Sequence, residues 1–294
     1  MWTVVVALIP TLIVSVCVFG LDALRVILIS CAACLLTEWV IDRFLMKRGN
    51  TLGNGSAMIT GLLLACNLPS ILPWWMVVVG AIVAIGIGKM SFGGLGGNIW
   101  NPALVGRVFL LISFPAAMTT WAPGVASGVD GVSGATFLTA LNNTANPVTL
   151  NDVNLLSLGL GNMNGSLGEV GSIAIIVGLV ILLATKVISW HIPVSVIGGA
   201  ALMSWALGGS PLLDILAGGL LLGAVFMATD YVTSPMTHKG QIIFGLLIGV
   251  ITIIIRRFGS YPEGMSFAIL LMNSFVPLIN HYFPPRRYGE RRTK

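Results

Sequence analysis

The residues best placed to do chemistry in this sequence stand in one polar interval. Asp130-Gly131-Val132-Ser133-Gly134-Ala135-Thr136 is short, built largely of small residues, and ends in a hydroxyl. Gly131 and Gly134 can take backbone angles closed to other residues, and Ala135 adds little bulk. The Thr136 hydroxyl is therefore open to modification by an outside enzyme. Taken alone, the stretch also reads as an ordinary loop of turn residues. A second group of candidates is set inside apolar runs: Glu38, Asn101, Arg107, Asp214, Asp230 and Asn273. Polar and ionisable groups are costly in lipid and mark function by default. Asn101 and Asn273 are suited either to bonding exposed backbone at broken helices or to bonding a cofactor. Asp230, with Thr229 and Thr233, could line an ion route. Glu38, Asp214 and Asp230 read more simply as membrane-interface residues.

The remaining candidates are weaker. Cys31 and Cys34 have CxxC spacing, but they fall mid-helix with no second Cys pair, and read as small buried residues. His191, His238 and His281 are not at metal-ligand spacing and read as interfacial residues, so no metal site is expected. In the glycine-rich run Gly93 to Gly97, Gly94-x-Gly96 is followed by Ile99 where a dinucleotide fingerprint needs its third glycine. The sequence therefore offers no site for NADH and none for iron–sulfur clusters. If electrons pass through this chain, another subunit supplies them.

Composition fixes the elements that must position these groups. The chain has 294 residues, 56% hydrophobic and 9% charged, with a mean hydropathy of +0.97. Soluble domains carry about 25% charged residues, so there is too little polar surface to cover a globule. Apolar runs long enough for a hydrocarbon core of ~30 Å recur from end to end. The expectation is one all-α polytopic membrane domain over 1–294, with about ten spans. The first five are 1–20, 25–41, 51–68, 73–88 and 102–118. The others are 171–188, 192–208, 213–229, 241–255 and 264–282. The 51–68 segment is shorter, contains glycine and is closed by Pro69 and Pro73, which suits a half-helix lining a site. The first span lacks a basic lead and a cleavage site, and reads as a retained helix.

Charge sets the topology. Residues 119–170 form a long loop without Lys or Arg, which points to the outer, extracytoplasmic side. Loops of that length are usually functional. The 284–294 tail is strongly basic and reads as cytoplasmic, as does the N-terminus. On this topology all 15 Lys and Arg except Arg25, Arg256 and Arg257 fall on the cytoplasmic side. The Arg256-Arg257 pair reads as an interfacial anchor. Thr60-Gly61-Leu62-Leu63-Leu64 and Phe244-Gly245-Leu246-Leu247-Ile248 echo each other, but both run in the same direction, so they establish no inverted repeat.

Several motifs recur in order along the chain. They are Asn54-Gly55-Ser56-Ala57 with Thr60-Gly61-Leu62-Leu63-Leu64, and Ser91-Phe92-Gly93-Gly94-Leu95-Gly96 with Asn98-Ile99-Trp100-Asn101-Pro102-Ala103. Ala228-Thr229-Asp230-Tyr231-Val232-Thr233-Ser234-Pro235 and Leu271-Met272-Asn273 follow. Together they resemble the RnfD/NqrB family of flavinylated bacterial membrane redox subunits. The 130–136 stretch is similar to that family's D-x-x-[ST]-G-A-[ST] pattern. The resemblance implies that a flavin transferase joins the phosphate of FMN to Thr136 as a phosphoester. Asp130, Ser133, Gly134 and Ala135 would complete the recognition motif. A second, non-covalent flavin among the helices is compatible with it, with Asn101 and Asn273 as candidate contacts.

The Rnf branch fits better than the NqrB branch, whose chains usually carry a longer extension before the first span. The implied activity is electron transfer within a ferredoxin:NAD⁺ oxidoreductase complex that exports Na⁺ or H⁺. The implied partners are other Rnf subunits, chiefly an FMN-carrying G-type subunit and membrane A/E-type subunits, in a bacterial or archaeal cell membrane. No nucleic acid is expected to bind. The alternatives are an NqrB-type role with quinone as acceptor, and a channel or solute transporter without flavin.

Overall fold

The computed structural model describes residues 1–47, 52–121, 159, 165–259 and 263–284. All the regular elements among the described residues are helical. Helix α1, Trp2–Phe19, ends at Gly20, whose φ of 66° turns the chain directly into α2, Leu21–Val40. A residue with a Cβ is strained at that angle. Helix α2 runs on through a wider π-type turn, Ile41–Met46. Helix α3, Ser56–Cys66, is followed by α4, Trp74–Ile82, which also ends in a π-type turn, Val83–Ile87. Helix α5 is Pro102–Ser113 and α6 is Pro115–Met118. Further along the chain come α7, Ser172–Ala184, and α8, His191–Ala206. Helix α9 is Pro211–Leu216, and α10, Leu220–Leu222, continues through a π-type turn, Gly223–Met227. The last two are α11, His238–Phe258, and α12, Met265–Tyr282.

Among the described residues, four helical stretches are long and apolar enough to cross a membrane: Trp2–Phe19, Leu21–Met46, Trp74–Phe92 and His238–Phe258. Helices α3, α5, α7 and α8 are apolar but shorter. A polytopic helical membrane fold is thus what the sequence builds, with more breaks than expected. The 51–68 segment is a half-helix: 11 residues at ~1.5 Å rise cannot cross ~30 Å. The expected span 102–118 divides at Phe114, which leaves helical geometry at φ −132° and ψ 58° just before Pro115. The expected span 213–229 divides too. Ala217 is extended and Gly218 has φ 68°, so α9 and α10 are separate pieces.

Close packing relies on glycine where two helices meet. A Cβ on Gly61 would lie 2.8 Å from the Cys31 backbone, and Ser30 Oγ donates to the Gly61 carbonyl at 2.8 Å. Helices α2 and α3 touch there backbone to backbone. Gly245 and Gly249, four residues apart on α11, meet Ile192, Ser195, Val196 and Ala200 of α8 in the same way. This is the small-xxx-small spacing of membrane helix pairs. It explains the echo between 60–64 and 244–248, since each glycine admits a neighbouring backbone. Large apolar side chains such as Leu21, Leu45, Ile112 and Trp205 point outward. That surface suits lipid, where burying apolar groups gives no advantage over exposing them.

Residues 165–170, just before α7, do not form a surface cap. Ser166, Leu167, Glu169 and Val170 are buried. The Leu167 and Gly168 N–H groups donate to the Leu68 and Cys66 carbonyls at 3.2 and 2.6 Å, and Ser15 Oγ donates to the Leu167 carbonyl. These bonds satisfy the backbone left open at the end of the half-helix.

Candidate functional site

Asn101 stands where three broken elements meet. Pro102 follows it at the first helical position of α5, where proline's fixed φ and missing N–H cost nothing. The Asn101 side-chain oxygen accepts from the Ala103 N–H at 3.1 Å and caps α5. Its nitrogen donates to the Met227 carbonyl at 3.2 Å, at the end of the π-type turn after α10. Asn273 on α12 seats against it. In the amide orientation that satisfies both ends, its oxygen accepts from the Asn101 N–H at 3.2 Å. Its nitrogen then donates to the Thr233 carbonyl at 3.2 Å and the Ile269 carbonyl at 3.3 Å. The two asparagines named from sequence are therefore brought together. Both amides bond backbone at broken helices, the first of the two roles open to them.

Beside this junction lies a cavity that opens to the outside, with about 820 Å³ of empty space when the part open to solvent is counted. Its polar lining includes Ser56, Thr60, Lys89, Asn98, Asn101 and Asp230. Leu63 and Phe226 are among its apolar walls. Lys89 is 3% exposed and Glu38 2%. The Lys89 ammonium donates to Glu38 Oε2 and to Ser56 Oγ, both at 2.6 Å. Glu38 is therefore buried and paired, correcting its expected place at the membrane interface. Asp230 is half-buried in the segment between α10 and α11. Burial pushes its carboxyl above the usual carboxylate range, against hydrogen bonds from the Val232 backbone and the Thr233 and Asn98 side chains that pull it down.

Asp214 is also corrected. It is buried on α9, accepts from Ser204 Oγ at 2.5 Å and pairs with Arg257 at 3.2 Å. Arg256 donates to the Asp214 carbonyl at 2.5 Å and to the Ala217 carbonyl at 3.0 Å. The Arg256-Arg257 pair thus anchors the broken α9 rather than a membrane surface. Arg107, counted as cytoplasmic from sequence, is buried in α5 and pairs with Glu263 just before α12. Cys31 and Cys34 are buried free thiols. His191 and His238 stack at 4.3 Å, with Trp190 on the other face of His191 at 4.2 Å. No group of three or more His, Cys, Asp or Glu among the described residues could hold a metal ion.

The attachment motif, Asp130, Ser133, Gly134, Ala135 and Thr136, lies outside the described residues. Sequence reasoning missed the roles of Lys89, Glu169 and Glu263. The available signal was that each is an isolated charge flanked by apolar or glycine-rich runs.

A family model described as the NQR2, RnfD, RnfE family matches residues 1–289. The chain is 44% identical to the D subunit of the proton-translocating ferredoxin:NAD(+) oxidoreductase complex of Clostridium ljungdahlii, covering 99% of this chain and 92% of that protein. It is 43% identical to the D subunit of the Na(+)-translocating ferredoxin:NAD(+) oxidoreductase complex of Acetobacterium woodii, covering 100% and 91%. It is 39% identical to the D subunit of the ion-translocating oxidoreductase complex of Stutzerimonas stutzeri, covering 97% and 90%.

Proposed function

The chain belongs to the NQR2, RnfD, RnfE family, and on that premise we propose that it is the electron-transfer D subunit of an Rnf-type ferredoxin:NAD⁺ oxidoreductase complex that moves Na⁺ or H⁺. The observation that carries this reading is a near full-length match to relatives named as the D subunit of such complexes. Those names also favour the Rnf role over a quinone-reducing NqrB-type role and over a flavin-free transporter. Its neighbours are then other Rnf subunits, including G-type and A/E-type chains, with both termini on the cytoplasmic side of the cell membrane.

FMN bound to Thr136 as a phosphoester is part of the proposal, with a flavin transferase as the maturation partner. The motif Asp130 to Thr136 supports it, as does its place in an interval without Lys or Arg between membrane helices. The cavity beside Asn101 is the proposed place of a second, non-covalent flavin. It offers apolar walls for a flat ring system, and Asn98 and Lys89 as donors. A bound flavin supplies one- and two-electron redox chemistry, while the protein supplies position and electrostatics. Here Asn101 and Asn273 hold the cavity wall rigid, and the buried Lys89 contributes a positive charge beside Glu38.

The energetics admit coupling. Moving one charge against 100 mV costs ~2.3 kcal/mol, and ~30 mV in a two-electron step is worth ~1.4 kcal/mol. A redox drop of roughly 50 mV therefore matches one ion before losses.

The test of attachment is ultraviolet fluorescence of the denatured chain on a gel after co-expression with a flavin transferase. The parent band should fluoresce and Thr136→Val should be dark. Two dark bands beside a working transferase control would refute covalent flavin. Two bright bands would move the attachment to Ser133 or Thr139.

A further inference from the structure

A second, smaller cavity lies where the end of α3 meets the start of α12. Its polar lining comprises Asn67, Arg107, Glu169, Arg256, Glu263 and Ser266. The four charged residues come from four separate segments, and all are buried: Arg107, Glu169 and Arg256 are 4% exposed and Glu263 is 9% exposed. Arg107 pairs with Glu263 Oε2, donates to Ser266 Oγ, and donates from Nε to the Asn67 carbonyl at 3.1 Å. Glu169 Oε2 accepts from the Ser166 N–H at 3.3 Å. Two arginines and two glutamates bring the formal charge of the cluster to zero.

Buried polar atoms in this region are unspent. Glu263 Oε1 and Ser166 Oγ have no hydrogen-bond partner among the described residues. A buried carboxylate oxygen without a donor is costly, so the site favours a species that can bond it. Space and charge restrict what that species is. The cavity has room for about one water. A hard metal cation takes about six oxygen ligands and would here sit beside two guanidinium groups. A proton needs one oxygen.

We propose that this cavity is a proton-carrying site, with Glu263 as the carrier and Glu169 as the second carboxylate across it. A proton adds to Oε1 of Glu263 from a hydronium in the cavity, which becomes water, and later leaves to a water, which becomes hydronium. The O–H bond formed on Glu263 is the one broken on hydronium, and no electron moves in the step. Arg107 holds the other Glu263 oxygen and stays charged throughout. Arg256 balances Glu169. On the topology read from charge, Glu169 closes the outer loop and Glu263 follows α11 on the same side, so exchange is with the outer face; Arg107, counted as cytoplasmic on that topology, instead reaches this cavity from within α5. The inference rests on the reading of this chain as a subunit of an ion-translocating redox complex, and it names the proton as the ion handled at this cavity.

The experiment is redox-induced infrared difference spectroscopy on the intact purified complex, in H₂O and D₂O. The parent should show a carboxylic-acid carbonyl band that changes on reduction and shifts in D₂O. Glu263→Gln should lose that band, and Glu263→Asp should keep it at a shifted frequency. Flavin bands in the same spectra report separately on the redox reading. Their absence from the parent would overturn that reading and the proposal with it. Intact flavin bands with an unchanged carboxylic-acid band in Glu263→Gln, or with no such band in the parent, would overturn the proton site alone. If Glu263→Gln does not assemble, Glu169→Gln takes its place: the site requires the Glu263 band to move, and an unmoved band overturns it.

Discussion

The buried pair Glu38–Lys89 gives the sharpest quantitative prediction. Both side chains are at most 3% exposed and they meet at 2.6 Å, so solvent screening does little to weaken the pair. Replacing one partner takes from the other the counter-charge it meets inside the fold, and breaking a buried pair in this way costs about 3–5 kcal/mol. Each kcal/mol shifts the melting temperature of a 150–250-residue protein by ~2–4 °C. Glu38→Gln and Lys89→Met should therefore each lower it by roughly 6–20 °C. The double change Glu38→Leu with Lys89→Met removes both charges. It should recover most of the loss, because exchanging a whole buried pair for apolar groups is often neutral. The cycle then shows a coupling of several kcal/mol rather than additivity, as expected for residues in direct contact. The assay is thermal loss of monodisperse protein in detergent, scored by size-exclusion fluorescence. Single variants within ~2 °C of the parent, with additive effects in the double, would refute the pairing. Because Lys89 lines the larger cavity, the same variants test whether a ligand there senses its charge: Lys89→Met should weaken retention of a negatively charged or reducible ring more than Glu38→Gln does.

Two further perturbations test the positioning of the elements. Gly249→Leu drives a side chain into the backbone of α8 at Val196 and Ala200; overpacking costs typically ~1–3 kcal/mol and more against backbone, so the variant should melt clearly below the parent in the same assay, and a wild-type melting point would refute the close approach of α8 and α11. Asn101→Ala removes the cap on α5 and the bond to Met227, each worth about 1 kcal/mol; it should cost roughly 2 kcal/mol, while Asn101→Asp, which keeps the cap acceptor but loses the donor to Met227, should fall between it and the parent.

Local chemistry made one of the breaks legible in the sequence. Pro69, Pro73 and the glycines of 51–68 announce a short helix, and α3 is one. The division at Gly218-Gly219 carries the same signal, yet the apolar run 213–229 hid it. Hydropathy averages over a window, while one residue with φ 68° ends a helix. Pairing was illegible for a different reason. Glu38 and Lys89 are 51 positions apart, and a lone charge in an apolar run has two solutions, snorkelling to the interface or meeting a counter-charge. Pattern alone does not choose between them. Only the packing of α2, α3 and the end of α4 brings the two charges together.

Asn101 shows how the two kinds of information join. Its type and its place before Pro102 already suit a helix cap, a local fact. What the sequence does not contain is that its other hydrogen-bonding group is spent on Met227, at |i−j| = 126, and that Asn273 receives its backbone N–H. Inside a membrane, a helix that stops short must have its open backbone groups satisfied by protein. The half-helix α3, the start of α5 and the π-type turn after α10 all stop short within one region. Asn67 and Asn101 stand at such ends, Asn273 reaches Asn101 from the middle of α12, and all three amides bond backbone there. The broken helices therefore require these asparagines before any cofactor does. Whatever occupies the adjoining cavity meets a wall that these backbone hydrogen bonds already hold in place.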